Sequence, residues 1–250
     1  MSGLDPLWLV LAGFGGGVAG SVAGLASLVS YPALLAVGLS PVAANVSNTV
    51  ALVASSTGSV LGSRPELRGQ RARAKRLGVS AVLGGATGGL LLLATPAGSF
   101  ELVVPWLIGL ASIGVLVRRR TSADAHATSH ELGWALPVGV FLVGIYGGYF
   151  GAAAGVMLLS FVLYSTGETL ARGNAMKNLL AGAANGIAAV AFAVFGPVHW
   201  LAVLPLAAGF LAGGRIGPAI VRRAPATPLR VLIACAGLGL AVHLGLDAYR

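Results

Sequence analysis

None of the acidic side chains in this sequence falls inside an apolar stretch. Asp5, Glu66, Glu101, Asp124, Glu131, Glu168 and Asp247 all lie at or beyond the ends of hydrophobic segments. Proton pumps and most cation carriers need a carboxylate within the membrane, to exchange the proton or to replace water around the cation, so the pattern argues against both. An intramembrane aspartyl protease, which needs two, is excluded on the same ground. Cysteine is limited to Cys235, which rules out an intramolecular disulfide and a two-cysteine metal site or relay. His126 and His130 lie in a polar stretch, and His199 and His243 sit near segment ends, at no spacing that would hold a metal. Without a nucleophile, metal site or carboxylate pair the chain does not read as an enzyme, and no cofactor is expected.

Charge of either sign is scarce. Charged residues make up 9% of the chain, hydrophobic ones 56%, and the mean hydropathy is +0.88; a soluble domain carries about a quarter charged residues. The sequence therefore predicts an all-α, polytopic membrane protein of the cell membrane with no soluble catalytic domain. Apolar stretches near 7–38, 41–62, 77–95, 101–117, 133–164, 170–195, 198–221 and 228–247 suggest about eight hydrophobic segments. The net charge of +9 would suggest nucleic acid in a soluble protein. Here the basic residues fall in a few loops, six of them between Arg64 and Arg76, and read as positive-inside topology signals facing lipid headgroups, with no nucleic acid partner expected. The start, Met1 to Pro6, lacks the basic n-region of a signal peptide and reads as mature sequence.

Glycine is abundant and ordered. Gly13, Gly16, Gly17, Gly20 and Gly24 recur 131 residues later as Gly144, Gly147, Gly148, Gly151 and Gly155. At an offset of 129, Asn45 and Asn48 correspond to Asn174 and Lys177, and Gly84, Gly85 and Gly88 to Gly213, Gly214 and Gly217. The expectation is two four-segment repeats, 1–120 and 133–250, joined by a cytoplasmic linker at 121–132. The first and fifth segments are too long for simple crossings, because about 32 helical residues would span about 48 Å against a hydrocarbon core of about 30 Å. If both break at their glycines and turn back, the repeats are inverted and every basic loop faces the cytoplasm, which is the arrangement adopted here. Close packing of straight helices through small residues fits the same glycines.

The polar groups inside the spans are donors and a cation: Asn45, Ser47, Asn48 and Thr49 in the first half, and Asn174, Lys177, Asn178 and Asn185 in the second. Such groups can neutralise and hydrogen-bond a small anion. Asn174, Asn178 and Asn185 share one helix face by spacing, and Asn45, Asn48 and Ser55 form a comparable one. Backbone amides of broken helices near Gly16–Ser21 and Gly147–Gly151 would add positive dipole ends. Gly16, Gly17, Ser21, Asn45, Asn48, Thr49, Tyr146, Gly147, Gly148, Asn174, Lys177 and Asn178 are the candidate substrate-binding residues. A secondary carrier and a passive anion channel are both compatible with this inventory.

The glycine-rich first segment, Pro41-Val-Ala-Ala-Asn-Val-Ser-Asn-Thr49, the box Tyr146-Gly-Gly-Tyr-Phe-Gly-Ala-Ala-Ala-Gly155 and Ala175-Met-Lys-Asn178 together resemble the TauE/SafE family of sulfite and organosulfonate exporters over essentially the whole chain. The resemblance implies transport of small sulfur-containing or carboxylic anions such as sulfite, thiosulfate or an organosulfonate. It places the central region on Gly16–Ser21, Asn45–Thr49, Gly147–Gly151 and Asn174–Asn178. Asn45 and Ser47-Asn48 depart from the Thr-Ser or Thr-Ala that often follows the proline in that family.

Overall fold

The computed structural model describes residues 5–117, 133–223 and 227–248; the linker at 121–132, with its Asp124, His126, His130 and Glu131, lies outside them. The described residues form eleven helices: α1 (Asp5–Ala23), α2 (Ala26–Ala36), α3 (Pro41–Gly62), α4 (Arg64–Leu67), α5 (Arg71–Ala94), α6 (Ala97–Val117), α7 (Ala135–Tyr149), α8 (Ala154–Thr166), α9 (Leu170–Phe195), α10 (Trp200–Arg223) and α11 (Thr227–Ala248). Pro41 opens α3, where its fixed φ suits a first turn and its missing N–H costs nothing. The side chain of Thr169 caps α9 by accepting from the Arg172 N–H at 3.4 Å.

The architecture is all-α and polytopic, but the reading of about eight segments in two four-segment repeats is corrected. Among the described residues four helices are long and apolar enough to cross a membrane: Asp5–Ala23, Arg71–Ala94, Leu170–Phe195 and Trp200–Arg223. Hydropathy does not see backbone breaks, and in α3 amides and hydroxyls dilute the apolar run. The 7–38 and 133–164 stretches each split into two helices, of which α2, α7 and α8 have 11, 15 and 13 residues. α3 is 22 residues long but carries Asn45, Ser47, Asn48, Thr49, Ser55, Ser56, Thr57 and Ser59.

The splits are sharp turns. α1 ends where Gly24 takes φ +76°, and α7 gives way to α8 through Gly151 at +77° and Ala153 at +58°, a left-handed conformation that costs an L side chain energy. The chain then runs back on itself. A Cβ on Gly20 would lie 2.6 Å from that of Ala26, and one on Gly139 would lie 2.9 Å from the Phe161 ring, so α1/α2 and α7/α8 are closed helical hairpins. They meet where Gly155 lies against Gly24, a Cβ on the former falling 2.6 Å from the Cα of the latter.

Packing interleaves the two halves of the sequence. α10 lies along α1 and α3, and α5 lies along α7 and α9. Both contacts are glycine-lined: a Cβ on Gly213 would overlap the Phe14 carbonyl and one on Gly214 the Ser55 carbonyl, while Gly84 and Gly88 stand in the same way against Phe141 and Ile145. In lipid, where apolar burial between helices gains little, such close approach supplies the van der Waals energy. α3 and α9 pack antiparallel between these groups, with Val46 beside Gly196 and Ser56 beside Gly182.

Basic residues gather at one end of the bundle. Arg222 donates to both oxygens of Glu66 at 2.7 and 2.9 Å and to the Gly62 carbonyl. Glu168 accepts from Arg172 at 2.7 Å and from Arg73 at 2.9 Å. The positive-inside rule assigns this end to the cytoplasm. The Arg172 guanidinium, helped by that of Arg73 and opposed by partial desolvation, holds the Glu168 carboxyl below the usual glutamate range. A lowered carboxyl pKa stabilises the fold above the unfolded value of about 4.3 and loses that contribution as pH falls through the lower folded value. Glu168→Gln is thus expected to destabilise the fold slightly at pH 7, by no more than about 1 kcal/mol for a partly exposed network, and so to lower the detergent melting temperature. That difference should vanish as the wild-type carboxyl protonates, which melts of both proteins along a pH series will show.

Candidate functional site

A cavity of ≈ 60 Å³ opens beside the meeting point of the two hairpins. At about 10–15 Å³ of such space per water, it holds about four to six heavy atoms, the size of a small oxyanion. Its walls are Leu52–Ser59 of α3, Val143–Gly147 of α7 and Lys177–Asn185 of α9, closed by the hairpin turns at Gly24 and Gly151. Since α3 continues toward Gly62 and the Glu66–Arg222 pair, the α3 wall belongs to its cytoplasmic part.

One charged side chain, Lys177, lines the cavity, and none of the lining residues is acidic. Lys177 is 1% exposed. Its ammonium donates to the Gly20 carbonyl at 2.8 Å and the Ser21 carbonyl at 3.1 Å. Asn174 and Asn178 also donate to Ser21, at 2.8 and 3.4 Å. All three thus serve the last turn of α1, where the Gly20 carbonyl also accepts from the Gly24 N–H at 2.8 Å and which carries the negative end of the helix dipole. Gly16–Ser21 and Gly147–Gly148 stand at helix C-terminal ends, because the breaks fall after Ala23 and Tyr149, and these turns present carbonyls. The amide ends that border the cavity are those of the helices that follow, α2 at Ala26 and Ser27 and α8 at Ala154 and Gly155, and its full positive charge comes from Lys177.

The opposite hairpin is capped from the first half of the sequence. Asn45 donates to the Tyr149 carbonyl at 2.9 Å, and Tyr146 donates its hydroxyl to the Ala152 carbonyl at 2.7 Å. Asn48 lies against α2, donating to Ser27 at 3.2 Å and accepting from Ser30 at 2.6 Å. Thr49 donates back to the Asn45 carbonyl. Tyr149 and Phe150 pack around Phe100, and Tyr31 meets Phe150 edge-on at 5.4 Å. This aromatic cluster seals the end of the hairpin away from the basic loops.

Of the twelve candidate residues the cavity brings together Gly147, Lys177 and Asn178. Asn45, Asn48, Thr49, Tyr146, Asn174 and Ser21 form the polar scaffold just described, outside the lining. Gly16 and Gly17 face Phe210 of α10, and Gly148 faces the backbone of Gly85. Ser56 and Ser59, on the α3 wall, were not among the candidates. The signal was available in Ser55-Ser56-Thr57-Gly-Ser59, a hydroxyl cluster inside an otherwise apolar run. Groups of His, Cys, Asp and Glu that could hold a metal are absent among the described residues.

The sequence model of a family described as "Sulfite exporter TauE/SafE" matches residues 9–244. "Probable membrane transporter protein YfcA" of Escherichia coli (strain K12) is 26% identical over 242 residues, covering 96% of this chain and 88% of that protein. "Probable membrane transporter protein ORF9" of Sinorhizobium sp is 23% identical over 241 residues, covering 96% and 92%. No solved structure matches the chain.

Proposed function

The chain belongs to the sulfite exporter TauE/SafE family, as a multi-pass secondary transporter of small anions in the cell membrane, and from that premise we propose that it carries a sulfur oxyanion such as sulfite, thiosulfate or an organosulfonate, seated beside Lys177. The observation that carries this reading is the buried Lys177 ammonium on the wall of a cavity without acidic lining. A cation so placed attracts an anion strongly, because the surroundings screen it far less than water does. Asn178 adds an amide, and Gly147 keeps the α7 wall thin. Asn45, Asn48, Thr49, Tyr146, Asn174, Ser21 and the glycines Gly16, Gly17 and Gly148 support the seat by fixing the hairpins around it. Access would alternate as the hairpins move relative to α3 and α9, in the manner of carriers whose discontinuous helices enclose a central site.

Purified protein in liposomes loaded with unlabelled sulfite should take up radiolabelled sulfite by exchange, saturably, with thiosulfate and small organosulfonates competing. Unitary currents in a planar bilayer would instead make the protein a passive channel. Exchange of acetate but not of sulfite would make it a carboxylate carrier.

A further inference from the structure

Hydroxyls on these helices have a common habit. Thr49, Thr57, Ser59, Thr87, Ser160 and Thr166 each donate to the carbonyl four residues back, as a hydroxyl in apolar surroundings does when it has no better acceptor. Ser55 and Ser56 line the cavity and make no such bond among the described residues, nor does the amide of Asn185 across from them. Three polar side chains that commit nothing to the scaffold therefore converge on one small space, whereas the amide nitrogens of Asn45, Asn48 and Asn174 are all engaged.

The placement is held from behind. Gly214 brings the backbone of α10 against that of Ser55, and a side chain at Gly182 would press on the Cβ of Ser56 at 2.9 Å, so glycine there leaves the hydroxyl its room. The antiparallel crossing of α3 and α9 puts Ser56 opposite Gly182. The offset of 129 that relates Asn45 to Asn174 takes Ser56 to Asn185.

We infer that Ser55, Ser56 and Asn185 are the specificity-determining face of the cavity, selecting an anion with three or more oxygens on a pyramidal or tetrahedral centre over a planar carboxylate. This rests on the reading of the chain as an anion carrier with Lys177 at the seat. The two oxygens of a carboxylate lie in one plane and can be served by Lys177 and Asn178, adjacent on α9. A sulfur centre splays its oxygens, so a third must be met away from that pair, from Ser55 and Ser56 on the α3 wall and Asn185 two turns further along α9. Serine hydroxyls both donate and accept, so the same wall also fits a protonated oxyanion, whose O–H needs an acceptor that an ammonium cannot offer.

The test is a competition ratio read on full-length protein in liposomes: the concentration of unlabelled acetate that halves radiolabelled sulfite exchange, divided by the concentration of unlabelled sulfite that does so. Being a ratio, it reports on whatever fraction of a variant is folded. The Ser55→Ala/Ser56→Ala double variant and Asn185→Leu should each lower it by about tenfold, the loss of one or two hydrogen bonds to one competitor only. Ser56→Thr, which keeps the hydroxyl, should leave it unchanged. An unaltered ratio in the double variant and in Asn185→Leu overturns the inference while the carrier reading stands on the wild-type exchange. Absence of sulfite exchange in the wild type overturns both.

Discussion

Gly24→Val should leave almost no protein that survives detergent extraction as a single species. Two costs combine at this position. Gly24 has φ +76°, and a non-glycine residue held in that region costs about 1–3 kcal/mol. Its added Cβ would also fall onto the backbone of Gly155 and Val156, with Val156 N at 2.6 Å. Backbone cannot rotate away as a side chain can, so the hairpins would have to separate and the cavity walls with them. The sum exceeds about 4 kcal/mol, a loss few single substitutions reach. Gly38→Ala is the internal control. Gly38 has φ +89° but open space where the Cβ would point, so only conformational strain remains, about 1 kcal/mol. Size-exclusion profiles and thermal melts of the two variants separate strain from overlap; equal mild losses would show that Gly24 and Gly155 are not in backbone contact.

The glycines were legible in the sequence as devices, but their purpose was not. Recurrence at fixed offsets marked Gly24 and Gly155, and the excess length of the stretches around them suggested breaks. Nothing in the spacing of Gly84, Gly85 and Gly88 says that their partners are Phe141, Ala184 and Ile145 from the other half of the chain. A glycine ridge fits any close helix, and the partner is chosen by the whole bundle. Asparagine carries the same ambiguity. Asn45, Asn174 and Asn178 were recognisable as buried donors in apolar helices, yet an amide serves a broken helix's carbonyl as well as it serves a ligand. Which it does depends on where the breaks fall. Once α1 ends at Ala23, the carbonyl of Ser21 has no backbone donor ahead of it, and with that of Gly20 it claims the nearest side-chain donors. The same one-turn question shifted the dipole, since amides expected near Gly16–Ser21 belong to the first turn of α2 at Ala26 and Ser27. Segment counting failed for a related reason: helices α2 and α8 are largely apolar but too short to cross.

Lys177→Met should therefore have two consequences that Asn174→Leu splits apart. Each substitution removes a donor from the end of α1; the carbonyls keep other partners, so the cost is that of the lost hydrogen bonds, about 1 kcal/mol for the amide and about 1.5–3 kcal/mol for the ammonium, and both variants should melt below the wild type. Lys177 is also the one charge on the cavity wall, whereas Asn174 lies outside the lining. Loss of a charge-assisted hydrogen bond to a bound oxyanion, about 1.5–3 kcal/mol, corresponds to sulfite affinity about 10- to 100-fold weaker. That change should appear in Lys177→Met and be absent in Asn174→Leu, with Lys177→Arg intermediate because it keeps the charge on a bulkier, planar head. Sulfite affinity measured on the folded fraction of each variant decides the matter. If Lys177→Met melts low yet binds sulfite as tightly as the wild type, the ammonium caps a helix end and nothing more, and the anion must be held elsewhere.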